Sequence, residues 1–188
     1  TVKVNYNMYV GVQTPMYMPE MASAAEYMGY VNEVNANAGV NPLYSQEEIN
    51  MTVSGEDPIS YPDTDWTNLI LKKYSMIQEH NISVTGGNTP GRFALSAQYL
   101  KQDGIYNEQK NGFDRFTIRA NTTVNLTKNI MIFVDTFLGK DTRRYPERNL
   151  IELVYNMPPT VVAKYPMKEG VNTEYYGLYH MSTVNAYA

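Results

Sequence analysis

The side chains best suited to binding chemistry stand at alternate positions of one stretch, residues 112 to 126. Arg115, Arg119 and Asn121 fall on one side of it, and Asp135 falls on the corresponding side of a second stretch, residues 130 to 140. Guanidinium, amide and carboxylate groups can hydrogen-bond a polar solute. They can equally pair with charges on a neighbouring segment, and we favour this alternative because an unpaired buried charge is costly.

Aromatic side chains in the long connections form a second group of binding candidates. They are Trp66, Tyr61, Tyr165 and Tyr175, whose ring faces can stack on sugars or pack against peptide side chains. The alternative, which we favour, is that a single tryptophan in a structured loop forms the small core of that loop.

Catalysis and metal binding have no candidate residues. The chain has no cysteine and two histidines, His80 and His180, that are far apart in sequence, so no metal cluster is indicated. No pair of carboxylates stands out as a glycosidase dyad. The net charge of -4, without a strongly basic tract, gives nucleic-acid binding no electrostatic support. We therefore predict a protein without enzymatic activity, metal, cofactor or nucleic-acid partner.

The elements that position these side chains are predicted strands. Apolar and polar residues alternate with a period of two, which places them on opposite faces of a sheet. Five strands are predicted, at about residues 2–13, 76–87, 92–103, 113–126 and 130–140. In the last two, the side opposite the arginines is apolar and contains Ile118, Ala120, Val124, Ile132 and Val134.

The connections alternate between short turns and long loops. "GGNTPG" and "LTKN" are tight turns, whereas residues 14–75, 104–112 and 141–188 are long. We predict a helix from near Pro19 to Gly39, a short helix capped by Ser45 and Glu48, and a helical turn started by Asp63 or Thr64. The last connection is predicted to be irregular. An up-and-down antiparallel sheet with these connections has all its short turns at one end.

Two environments suit such strands. One is a soluble antiparallel sheet with one face on a core, as in a β-sandwich that binds carbohydrate or serves in adhesion. The other is an outer-membrane barrel, with the apolar face on lipid and the polar face on a wet lumen. The predicted strands reach the length of about 9–11 residues that a tilted membrane-crossing strand needs. The mean hydropathy of -0.42 does not argue against a barrel, because alternation hides the apolar residues.

An ordered set of motifs favours the barrel. "YPDTDWTNLILKK", "QEHNISVTGGN", "RFALSAQYLKQDGIYN", "FDRFTIRANTTVNLTKNI" and "DTRRYPER" follow one another between residues 61 and 148. This block resembles the segment after the plug domain in SusC/RagA-type TonB-linked outer-membrane transporters of Bacteroidetes. "PP" at residues 158–159 and the closing "NAYA" are similar to the segment after the fifth strand.

The resemblance implies a function. Such transporters are plugged barrels of about 22 strands. With a SusD-like surface lipoprotein as lid, and driven by the TonB complex, they import oligosaccharides or peptides across the outer membrane of a Gram-negative, Bacteroidetes-type bacterium. Residues 1–188 are then expected to be part of one β-barrel domain, a fragment without the plug, the TonB-contacting segment and the remaining strands.

The same resemblance gives the candidate residues their expected places. Arg115, Arg119, Asn121 and Asp135 are expected to face the lumen, and the apolar side of the strands is expected to face outer-membrane lipid. Residues 14–75 and 141–188 are expected to be external loops. The soluble β-sandwich module remains the alternative.

Overall fold

The computed structural model describes residues 1–107, 111–146, 149–166 and 176. The chain divides into two compact units. Unit 1 comprises Thr1–Pro15 and Lys73–Pro146, and unit 2 comprises Met16–Lys72 and Glu147–Ala188. In the described part of the chain, no helix is both long and apolar enough to cross a membrane.

Unit 1 is a five-stranded antiparallel sheet in which each strand pairs with the next one in sequence. The strands are β1 Lys3–Gln13, β2 Ser75–Gly87, β3 Gly91–Asp103, β4 Gly112–Thr127 and β5 Ile130–Arg144. β5 continues beyond its predicted end near residue 140. Its last residues keep pairing with the start of β4, where Asp141 lies opposite Arg115 and Arg144 lies opposite Gly112.

The two short turns lie at the same end of the sheet, as the alternation of loop lengths predicts. Between β2 and β3, the Asn88 N–H donates to the Gly91 carbonyl at 2.8 Å and the Gly91 N–H donates back at 3.2 Å. Gly87 enters this turn with φ of 129°, and a Cβ there would overlap the Gly91 carbonyl oxygen. Between β4 and β5, a register shift at Asn125/Thr127 precedes the turn.

Two adjacent rows of side chains show that the faces of the sheet differ in chemistry. Residues directly opposite each other in an antiparallel pair point to the same face. One row, on what we call the apolar face, consists of Tyr6, Ile82, Ala97, Ile118 and Leu138. The next row, on what we call the polar face, consists of Asn7, Asn81, Gln98, Thr117 and Gly139.

The apolar face is not covered by another layer of unit 1. Exposed apolar side chains occur on it in every strand, for example Val4, Ile82, Leu95, Val124 and Val134. One polar pair on this face is hydrogen-bonded, since the Tyr6 hydroxyl lies 2.7 Å from His80 Nδ1. The described residues contain one sheet, so a β-sandwich, which needs a second sheet against this face, is not formed.

Unit 2 is helical and irregular. Its helices are α1 Ala24–Asn37, α2 Gln46–Ser54, α3 Trp66–Ile70 and α4 Leu150–Asn156. Ser23 and Ser45 cap α1 and α2 in the same way: each seryl oxygen accepts from the backbone N–H three residues later. The carboxylates of Glu26 and Glu48 accept from the backbone N–H of the capping serine at 2.8 Å and 2.7 Å respectively.

The core of unit 2 brings together segments that are far apart in sequence. The Trp66 indole N–H donates to the Pro158 carbonyl at 3.0 Å. Nearby, Thr64 donates from its backbone N–H to Pro159 and from its hydroxyl to Val161. The buried apolar side chains of unit 2 include Ala24, Met28, Ile70, Leu150 and Val154.

Three predictions about these helices were wrong. α1 begins at Ala24 rather than near Pro19, because Ser23 caps it and the Ala24 N–H donates to Asp63 at 2.7 Å. Asp63 and Thr64, which were expected to start α3, make these bonds to distant segments of the chain instead. Asp65 therefore caps α3. α4 forms where the connection was predicted to be irregular, with Asn149 as its cap.

Candidate binding surface on the polar face

The four charged and amide residues singled out from the sequence share the polar face of β4 and β5. Asn121 lies directly opposite Asp135, and Arg115 lies opposite Asp141 in the same register. Arg119, four residues after Arg115 and two before Asn121, points to the same face. The strand pairing therefore brings these side chains together along the polar face.

Arg115 is held by an ion pair with the neighbouring strand. Its Nε and one terminal nitrogen donate to the two carboxylate oxygens of Asp141 at 2.9 Å and 2.8 Å, which is a bidentate arrangement. The guanidinium carbon also lies 5.1 Å from the centre of the Phe113 ring. Arg115 thus follows the alternative of a charge paired across the sheet, and Asp141 is the partner that the sequence pattern did not identify.

Arg119 and Asp135 differ from Arg115 in their surroundings. The Arg119 guanidinium lies 5.1 Å from the centre of the Phe137 ring. Within the described residues neither side chain forms an ion pair, and both are exposed. With Asn121 they line a shallow groove of about 330 Å³. This groove offers a cation, a carboxylate and an amide to a polar partner.

A larger groove of about 690 Å³ lies where the strands enter the long connections. Its polar-face lining includes Gln13, Gln102, Phe113, Arg115 and Arg143. Two guanidinium groups lie over the Phe113 ring. The guanidinium carbon of Arg143 is 5.3 Å from the ring centre, and that of Arg115 lies over the same ring. This aromatic and two-cation arrangement was not predicted, because it depends on pairing between β4 and β5.

The loop side of the larger groove contributes neutral groups. Tyr106 lines it together with Asn111, whose amide bonds the backbone of Tyr106 in both directions, at 3.1 Å and 3.3 Å. Partial burial raises the pKa of the Tyr106 hydroxyl, so this group stays protonated and can donate at neutral pH.

The described loop aromatics that were named as binding candidates belong to unit 2. Trp66 is 3% exposed and its indole N–H is bonded to the main chain, so it is a core residue of unit 2 with no open ring face. Tyr61 is half-buried, and Tyr165 is 39% exposed. Tyr175 lies outside the described residues. Among the residues described, no three His, Asp or Glu side chains are grouped as metal ligands.

Comparison with known proteins places this geometry in context. No family model matches the chain. It is 28% identical over 125 residues to TonB-dependent receptor P26 of Formosa agariphila, covering 66% of this chain and 11% of that receptor. It is 26% identical over 119 residues to TonB-dependent receptor P3 of the same organism, covering 55% and 12%.

Solved structures give the same indication for the fold. A structure of the RagAB peptide transporter superposes with a TM-score of 0.66 at 17% identity, covering 94% of this chain and 23% of that chain. The RagAB peptide importer in the 'closed-closed' state gives 0.63 at 15% identity, with the same coverage. The chain thus spans about a tenth of the curated relatives' length.

These comparisons confirm the resemblance to SusC/RagA-type TonB-linked transporters and the predicted fold class. The sheet of unit 1 has the fold of an antiparallel, up-and-down segment of a β-barrel. Its long connections contain helices, as predicted.

Proposed function

We propose that this chain is part of a TonB-dependent outer-membrane transporter that imports oligosaccharides or peptides. The observation that carries the proposal is the two-faced sheet, in which an uncovered apolar face lies behind a face of amides, hydroxyls and charges. A strand between lipid and a wet lumen needs this division, whereas a soluble sheet with one uncovered apolar face does not stay dispersed in water.

The division assigns places to individual residues. Ile118, Ala120, Val124, Ile132 and Val134 contact outer-membrane lipid, since all five share the apolar face. Arg115, Arg119, Asn121 and Asp135 face the lumen. In this position the Arg115–Asp141 pair stiffens the barrel wall between β4 and β5. The groove beside Arg119 is open to a plug or to cargo.

The proposed partners follow from the same likeness. A SusD-like surface lipoprotein covers the outer opening, and TonB drives the import. The names of the relatives support this, since they are TonB-dependent receptors and the RagAB peptide importer. The work of the protein is transport rather than catalysis, in the outer membrane of a Gram-negative, Bacteroidetes-type bacterium.

Deletion of the complete gene in its own host tests this function. Uptake of labelled peptides and of labelled oligosaccharides is measured in wild-type, deleted and TonB-inactivated cells. We expect one of the two cargo classes to be lost equally in both mutants, and a SusD-like lipoprotein to co-purify with the tagged wild-type protein. Unchanged uptake of both classes, together with a monodisperse folded domain when residues 1–188 are expressed without detergent, would contradict the proposal.

A further inference from the structure

The larger groove on the polar face has a charge distribution that a neutral cargo does not require. It lies at the end of the sheet where the long connections leave, which is the outer end under the proposed function. Its polar-face lining has Gln13 and Gln102 on one side and Arg115 and Arg143 on the other, with Phe113 between them. The two glutamines are bonded to each other at 3.0 Å, so they form a neutral wall opposite the arginines.

The carboxylates of this end are already matched, one cation to each. The three pairs are Lys101–Asp103 at 3.8 Å, Arg144–Asp114, and Arg115–Asp141 at 2.8 Å. Arg143 forms no salt bridge with a described carboxylate, and Asp141, two residues away on the same face, interacts with it only beyond salt-bridge distance. Of the two neighbouring arginines, Arg144 forms a salt bridge and Arg143 does not.

Arg143 is nevertheless oriented. Its guanidinium carbon lies over the Phe113 ring, 5.3 Å from the ring centre, and the Arg115 guanidinium lies over the same ring. Two parallel N–H groups on the edge of a guanidinium match the two oxygens of a carboxylate. Asp141 forms its salt bridge with Arg115, so the guanidinium of Arg143 can still pair with an added anion.

We propose that Arg143, stacked on Phe113, binds a carboxylate of the cargo in this groove. This inference rests on the proposed transport function and adds a preference for anionic cargo. Tyr106 at the loop side supplies a neutral hydroxyl for the atoms beside the carboxylate. Acidic peptides and uronic-acid oligosaccharides share this chemistry, and the experiment below separates them.

The test uses the complete transporter, purified with its lipoprotein in detergent, and two defined libraries. One contains peptides with glutamate paired to otherwise identical peptides with glutamine, and the other contains oligogalacturonates paired to their methyl esters. Captured members are quantified by mass spectrometry for the wild type, Arg143→Gln, Arg143→Lys and Arg92→Gln. Arg92 is the matched control, because it lies on the same polar face of β3 but at the short-turn end, opposite Gly87.

In one of the two libraries, the peptides or the oligosaccharides, we expect the wild type to enrich acidic members over their neutral counterparts. Arg143→Gln should reduce that enrichment about tenfold, the usual value of a charge-assisted hydrogen-bonded contact. Arg143→Lys should keep part of it, and Arg92→Gln should leave it unchanged. The library in which the loss occurs identifies the source of the carboxylate.

Three results would overturn the inference. They are equal capture of acidic and neutral members by the wild type, an equal loss of both by Arg143→Gln, and an equal loss of enrichment by Arg92→Gln. The heat-dependent mobility shift of the folded barrel on gels confirms that each variant is assembled. A wild type that captures and imports nothing from either library contradicts the proposed function itself, whereas capture without charge preference contradicts only this inference.

Discussion

Units 1 and 2 place their apolar side chains in opposite ways. In unit 2 the apolar side chains meet in a core, and within the described residues every buried apolar side chain belongs to this unit. In unit 1 apolar side chains cover one face of a single sheet, occur also on the polar face at Met131, Phe133 and Phe137, and many of them stay exposed. The difference indicates that unit 2 is stabilised by its own packing, while unit 1 depends on a medium that accepts an apolar surface.

The largest effect is expected from a substitution that removes a central side chain from the core of unit 2. Trp66→Ala takes away a 3% exposed ring and its bond to Pro158, and we expect it to lower the local stability of unit 2 by about 3–5 kcal/mol. Hydrogen exchange of residues 24–72 in the complete protein measures this change. Tyr30→Ala, at a 60% exposed aromatic residue on α1, is the control and should cost about 0.5 kcal/mol or less. Equal effects would mean that unit 2 has no such core.

The second challenge introduces a charge on each face of the sheet in turn. Ile118→Arg puts a charge on the apolar face and should destabilise the barrel by about 2–4 kcal/mol near the bilayer midplane. Thr117→Arg puts the same group one residue away on the polar face, where it stays hydrated and should have little effect. Guanidinium unfolding from lipid bilayers compares the two. A greater cost for Thr117→Arg would reverse the assignment of the faces.

The smallest expected effect is a pH dependence of the helix caps in unit 2. The hydrogen bonds from the capping serines Ser23 and Ser45 lower the pKa of Glu26 and Glu48. A carboxyl whose folded pKa lies below its unfolded pKa stabilises the fold above the unfolded value, and this stabilisation is lost as the pH falls through the folded value. We therefore expect the first turns of α1 and α2 to lose exchange protection below about pH 4, after correction for intrinsic rates.

Replacing the acid tests the origin of that loss. Glu26→Gln should remove the pH dependence at α1 and leave it at α2, because each box has its own carboxyl. Loss of protection in α1 that persists in Glu26→Gln would assign the effect to another group.

The strands were predictable because a period of two is a local signal. In β4, every second residue from Arg115 to Asn125 falls on the polar face, and this pattern fixes both the strand and its faces. The pairing of Arg115 with Asp141 was not predictable, since it depends on register between two strands. The position of Arg143 on Phe113 depends on the same register, so the sequence pointed to Arg115 and Arg119 rather than to Arg143.

The helices of unit 2 show a different limit. Ser23 and Glu26 have the capping-box spacing, so the start of α1 was present in the sequence and the proline at residue 19 was the misleading signal. The start of α3 was not present, because Asp63 and Thr64 are used by distant backbone groups. For α4, Asn149 and Glu152 at cap spacing, with Leu150 and Val154 one turn apart, were a weak but available signal.

The central claim, that the faces of this sheet contact different media, is tested most directly by spin labels at positions 118 and 119 in the complete protein reconstituted in bilayers. The account predicts that the label at Ile118 is relaxed strongly by oxygen and weakly by a polar nickel complex, and that the label at Arg119 shows the reverse. Equal accessibility of the two labels to both reagents would contradict it.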